Sequence, residues 1–277
     1  MLQRGIHKWD LVLLIINSII GAGIFGLPSK IFALSGVYSL LAFAVCAAVV
    51  VIFILVFAEV SSRYNTTGGP YVYMLDAFGP FPAFLMGWLL LLSRLFNYAT
   101  LINLLVVYLA SFSQMFQNPF VRGACIVAMT CLLTAINFAG IKNTTRLSNV
   151  LTVAKLLPLA LFIVVGLFFL QPAYFSHAVP PTTASFSASV LLLIFAFGGF
   201  ESVLVNAGEI KAPRQNLPFA LLTATAVVTL FYCLIQLVCI GTLPALATSE
   251  RPLAEAAQLF MGPWGSVLII AGAFISI

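Results

Sequence analysis

A run of apolar residues cut by glycines near the start of the chain constrains its fold more than any other feature. Leu11-Val12-Leu13-Leu14-Ile15-Ile16 leads into Gly21-Ala22-Gly23-Ile24-Phe25-Gly26, and apolar sequence resumes from Leu27-Pro28 to Ala33. Lipid offers no hydrogen bonds, so backbone that leaves the helix inside a bilayer must meet protein, water or ligand. A second apolar run is cut in the same way at Phe197-Gly198-Gly199-Phe200-Glu201. Two interrupted spans in corresponding positions of two repeats are the sequence pointer to a transporter's central site.

The balance of residue types makes these runs membrane spans. Of 277 residues, 62% are hydrophobic and 7% charged, and mean hydropathy is +1.16. A soluble domain of this length cannot bury that much apolar surface. Segments long enough to cross a bilayer fall at about 9–33, 38–62, 80–110, 122–140, 148–170, 187–210 and 217–243, and another begins near 264. The expected fold is therefore an all-α polytopic membrane protein of about eight spans. A sixth span broken like the first suggests repeats of five helices, and an odd number inverts the second copy. Residues 1–171 would form the first repeat and 172–277 an incomplete second. From Trp264 to Ile277 only 14 residues remain, about 21 Å of helix against roughly 30 Å of hydrocarbon. The chain is expected to be truncated within the eighth span, with residues 253–260 forming a short helix on the outer surface. The first apolar run is too long for a cleaved leader and contains the break.

Charge sets the orientation. With a cytoplasmic N-terminus, inner segments carry Arg4, Lys8, Arg63, Lys142, Arg146, Lys211 and Arg214, and outer segments carry Lys30, Arg122 and Arg251. That is the positive-inside bias, and it accounts for the net charge of +5 without nucleic acid. Trp9, Trp88 and Trp264 lie near span ends, where interfacial anchors belong. The five cysteines fall in apolar stretches and read as small buried hydrophobes. His7 and His177 stand alone, so neither a metal site nor a cofactor is expected, and no nucleophile–base pairing suggests an enzyme.

A broken helix presents two ends. The N–H groups of Ala22, Gly23 and Ile24 would open the outer half of span 1, carry the positive end of its dipole and suit a carboxylate. Free carbonyls near Ile19 and Ile20, and near Phe195, Ala196 and Gly198, would suit an ammonium group. Together they fit the zwitterionic head of an α-amino acid. The alternative is that Gly21, Gly23 and Gly26 only permit close helix packing. Phe195, Phe197, Phe200 and Tyr98 are candidates for an apolar bed. A carboxylate inside a span costs about 2.5–3.5 kcal/mol on insertion scales and marks a functional position. Glu201 could titrate, or it could pin the unwound backbone. Glu59 and Glu209 read as interfacial. Burial disfavours an ammonium, so Lys155 in span 5 suits proton exchange, unless it snorkels to the inner interface. Arg94 reads as a structural partner for a carboxylate or for helix-end carbonyls.

Several of these motifs, in one order along the chain, resemble the amino acid–polyamine–organocation (APC) family of permeases. They are Ile20 to Pro28, the loop from Glu59 to Tyr73 with Thr67-Gly68-Gly69-Pro70, the stretch from Phe195 to Glu201, and Glu209-Ile210-Lys211-Ala212-Pro213-Arg214. Pro252-Leu253-Ala254 leading to Gly272-Ala273-Phe274-Ile275-Ser276 completes the set. The resemblance implies inverted five-helix repeats of the LeuT-like kind and secondary transport of amino acids across a cell membrane by alternating access, by import or exchange. Asn149 to Lys155 is similar to the fifth span of proton-coupled members. There the lysine stands in for a sodium ion near span 1 and the eighth-span serine, here Ser276. The implied partners are an amino acid, protons and the lipid bilayer, and the implied coupling and gating residues are Lys155, Glu201, Phe200 and Ser276. Asn65 departs from the proline of many relatives. The alternative is a fragment of such a permease that does not transport and serves as a sensor or interaction partner.

Overall fold

A computed structural model describes residues 5–64, 66–112, 114–138, 141–176 and 179–276. Arg4, Asn65, Gly140, His177 and Ile277, all used in the sequence reading, lie outside the described residues, as does the side chain of Lys142.

Helix α1 (Lys8–Ile19) starts with a capping box in which Asp10 accepts from the His7 N–H, and it buries Leu11, Val12, Ile15, Ile16 and Ile19 along one face. It stops at Ile20 and Gly21, which are extended. A 3-10 turn, Ala22–Phe25, leads to α2 (Leu27–Ser35), which has Pro28 in its first turn. The 12 residues of α1 and 9 of α2 are about 18 and 14 Å long at 1.5 Å per residue, so only together do they match roughly 30 Å of hydrocarbon. They form one crossing interrupted in its middle.

After Gly36 reverses the chain with φ +53°, α3 (Ser39–Ser62) crosses in one piece. The short α4 (Pro70–Phe78) lies on α5 (Pro80–Phe112), and α6 (Pro119–Phe138) and α7 (Ile141–Gly166) follow. The second interrupted crossing is α8 (Thr183–Phe197) and α9 (Glu201–Leu204), separated by Gly198, Gly199 and Phe200. Then come α10 (Pro213–Thr242) and α11 (Pro252–Ser276). Among the described residues, 7 helical stretches are long and apolar enough to cross a membrane, the first being Leu27–Ser62. Gly36 divides that stretch into the outer half of span 1 and span 2, which gives the eight crossings expected. Within α11, Gly262 (φ 70°) and Pro263 separate residues 252–261 from the membrane segment, where the sequence placed an outer-surface helix.

The core sits on α10, whose buried Leu217, Leu221, Ala224, Val228, Tyr232, Ile235 and Cys239 recur every three or four residues along one helix face. This face packs against α1 and α3, while α11 packs on α7. Gly272 brings α11 close to Pro158, since a methyl there would lie 3.2 Å from the proline ring. Helices α5 and α6 stand at the periphery, mostly exposed.

The inner ends of the two broken spans are tied together. The Ile6 N–H donates to the Glu209 carbonyl at 3.2 Å, and the Lys211 N–H donates to the Ile6 carbonyl at 3.1 Å. The segment around Ile6 and the loop after span 6 therefore share one end of the molecule.

Candidate functional site

Both interruptions exist, and the second abuts span 1. Gly199 has φ +114°, and a methyl group on it would run into the Ser18 carbonyl. Only a glycine lets the backbone of span 6 lie this close to that of span 1. Ser202 Oγ donates to Ser18 Oγ at 3.1 Å across the same contact. The backbone of the span 6 break thus abuts the last turn of α1, just before the span 1 break begins at Ile20.

The glycines of the first break do not serve helix packing. A methyl added to Gly21, Gly23 or Gly26 would meet nothing within 4 Å, and none of the three has positive φ. Their small size leaves open space beside the backbone. The N–H groups of Ala22, Gly23 and Ile24 open a 3-10 turn, where the first donors have no partner in their own turn. They precede α2, at the positive end of its dipole.

The carbonyl side is more crowded than the sequence suggested. Lys155 is 3% exposed, and its Nζ donates to the Asn17 carbonyl at 3.0 Å and to the Ile20 carbonyl. It does not snorkel. Ser276 Oγ also donates to the Ile20 carbonyl, at 3.4 Å. Two internal donors thus fill the lone pairs of Ile20, so in this conformation that carbonyl is closed to a ligand. The Phe195 carbonyl likewise accepts from the Gly198 N–H at 3.1 Å. The Phe195 ring is 88% exposed and turns outward, so it is no part of an apolar bed. Tyr98 is also remote, with its hydroxyl 2.7 Å from Thr130 Oγ1 on α6. Phe197 is buried, and Phe200 packs edge-on against Phe57 at 5.5 Å.

Tyr232 was missed by the sequence reading. It is buried on α10, and its hydroxyl lies 3.3 Å from the Ile19 carbonyl and 3.4 Å from that of Ala196. One phenolic proton is shared between the carbonyl ends of the two half-helices. Phe197 and Phe43 hold the ring edge-on at 5.2 and 6.3 Å. A tyrosine in an apolar α10 sequence gives no signal of this role, because only the fold brings it to residues 213 and 36 positions away.

Glu201 does pin unwound backbone. Its Oε2 accepts from the Gly199 N–H at 2.9 Å, and its Oε1 lies 3.3 Å from Arg94 Nη2. Arg94 therefore has the carboxylate partner its depth demanded. Glu59 pairs with Arg63 at 2.9 Å, both largely exposed at the inner end of α3. Around the two breaks lie the opening N–H groups of the 3-10 turn, the Ile19 and Ala196 carbonyls that share Tyr232, and the Lys155 ammonium on the Asn17 and Ile20 carbonyls.

Residues 6–277 match the family described as amino acid permease. The chain is 28% identical over 296 residues to the methylthioribose transporter of Bacillus subtilis (strain 168), covering 100% of this chain and 63% of that protein. It is 26% identical to the branched-chain amino acid permease BcaP of the same organism, over 99% of this chain and 63% of the relative. It is 29% identical to the serine/threonine exchanger SteT, also from Bacillus subtilis, over 95% and 61%. The chain thus spans about three-fifths of the length of these relatives.

Proposed function

The chain belongs to the amino acid permease family, and on that premise we propose that it holds the substrate site of a secondary amino acid transporter. The carrying observation is the abutment of the two interrupted spans at Gly199 and Ser18. The donors of Ala22, Gly23 and Ile24 follow the span 1 break, and the carbonyls of Ile19 and Ala196 close the two half-helices beside it, which supports this reading. The substrate carboxylate takes the donor side, and its ammonium displaces the Tyr232 hydroxyl from the Ile19 and Ala196 carbonyls. Phe200 closes over the occupied gap. Residues 1–171 act as one five-helix repeat and 172–277 as the start of its inverted partner. Relatives named for branched-chain amino acids and for serine and threonine support small amino acids as substrates.

Transport proceeds by alternating access and is coupled to protons through Lys155. The charged ammonium ties the inner half of span 1, through Asn17 and Ile20, to span 5, and Ser276 adds span 8 to the same carbonyl. Loss of the proton weakens these charge-assisted bonds and lets the inner half of span 1 swing. The protein resides in the cell membrane with a cytoplasmic N-terminus.

Uptake of labelled leucine and serine into proteoliposomes, with and without an inward pH gradient, tests the reading. Gradient-stimulated uptake is expected, with unlabelled methylthioribose as a competitor to report whether a sugar is read instead. In Lys155→Met the stimulation is expected to vanish. A Lys155→Met protein that still follows the gradient removes Lys155 from the coupling step. Saturable binding without transport would indicate a sensor.

A further inference from the structure

We propose that Arg94 cancels the charge of Glu201 at the break in span 6 and so restricts the site to amino acids with uncharged side chains. This rests on the transport reading above and deepens it by naming the substrate class.

The carboxylate cannot leave the break. Its Oε2 is held by the Gly199 N–H at 2.9 Å, and Gly199 is the residue that meets Ser18 of span 1. Left alone there, a fixed negative charge in a medium of low dielectric would attract any cationic side chain entering the gap. Arg94, reaching in from α5, meets the other oxygen at 3.3 Å. The pair is half-exposed, with side-chain accessibilities of 45% and 32%. At mid-membrane such charges belong beside water or protein, so the pair lines the approach to the break.

Among the described residues, no other charge is in contact with Glu201 or Arg94. Asp10 accepts from Asn149 Nδ2 at 2.7 Å, Asp76 from Tyr64 Oη at 2.7 Å, and Glu255 from Ser249 Oγ at 2.6 Å. Glu59 is bound to Arg63. Glu209 and Glu250 belong to the loops before α10 and α11. Lys155 is the other cation deep in a span, and its ammonium is held by the carbonyls of Asn17 and Ile20 on span 1, away from Glu201. The charges in direct contact with the span 6 break are therefore one carboxylate and one guanidinium, with the Lys155 ammonium on span 1 a separate, fixed cation in every variant. Selectivity between side chains is a difference of affinities, and removing either partner leaves the other uncompensated where the substrate passes.

Competition of lysine, leucine and glutamate for uptake by the protein in proteoliposomes tests this. Wild type is expected to take leucine and reject both charged amino acids. R94M should raise lysine relative to leucine at least about tenfold, E201Q should raise glutamate relative to leucine, and R94M/E201Q should return to the neutral profile. An R94M protein that carries leucine without gaining lysine overturns the proposal, as does a double variant that gains lysine as well. If R94M carries nothing, E201Q decides: a gain of glutamate supports charge cancellation, and an unchanged profile rejects it. A wild-type protein that carries no amino acid sinks the transport reading, and this inference falls with it.

Discussion

Gly199 and Gly23 are the same residue used for different physical reasons. Gly199 combines φ +114° with a neighbouring carbonyl where its side chain would be, so Gly199→Ala should destabilise the fold by about 1–3 kcal/mol. Thermal unfolding in detergent should show this as a lowered Tm. Gly23 sits in open space with ordinary φ, so Gly23→Ala should leave stability within about 1 kcal/mol while weakening amino acid binding measured by titration. Equal losses of Tm in the two variants would mean that the first break is packed after all. Both positions are legible in the sequence as glycines in a cut apolar run. Which one is sterically required was not legible, because backbone angle and distant neighbours are properties of three dimensions. The same holds for Lys155, whose depth could be counted along the chain but whose partners, Asn17 and Ile20, lie 138 and 135 positions away.

At the scale of elements, the inner loop and span 6 form a latch. The Gly68 N–H donates to the Val205 carbonyl at 3.0 Å, and a methyl on Gly69, which has φ +50°, would lie 3.0 Å from the Leu204 and Val205 backbone. Gly69→Ala is expected to spring this loop. Hydrogen exchange should rise over residues 66–78, while the amides of α10 keep their protection. Unchanged exchange in the loop would show that the contact does not hold it. The sequence reads as a loop from Glu59 to Tyr73, but a helix, α4, begins at Pro70, a first-turn proline of the kind helices accept. What the sequence could not announce was the partner, since a turn motif encodes local geometry and leaves the docking surface to the fold. Span limits were read closely, because the hydrocarbon thickness imposes length and the flanking turn residues impose ends. The inner end of Tyr73, just outside the spans, shows the same limit. Burial pushes its phenol up to about 12, a consequence of packing beside Tyr64 at 4.8 Å that no local pattern signals.

For the whole molecule, the bridge between Ile6 and Ile210 puts the segment before α1 and the loop after span 6 at one end of the molecule. In protein whose native cysteines are replaced, Lys211→Cys in intact cells should resist a membrane-impermeant maleimide, and Glu250→Cys should react. The reverse pattern would invert the orientation. Sequence by itself determined that the chain crosses a bilayer about eight times, where each crossing lies, and that two crossings are interrupted. Those properties follow from transfer of side chains to lipid and from glycine's backbone freedom, both of which act residue by residue. Only the tertiary structure decided that the span 6 break abuts span 1, that Tyr232 spans the two carbonyl ends, that Lys155 and Ser276 fill the Ile20 carbonyl, and that Arg94 pairs with Glu201. Those outcomes depend on distances between groups far apart in the chain, which are set only when the helices pack.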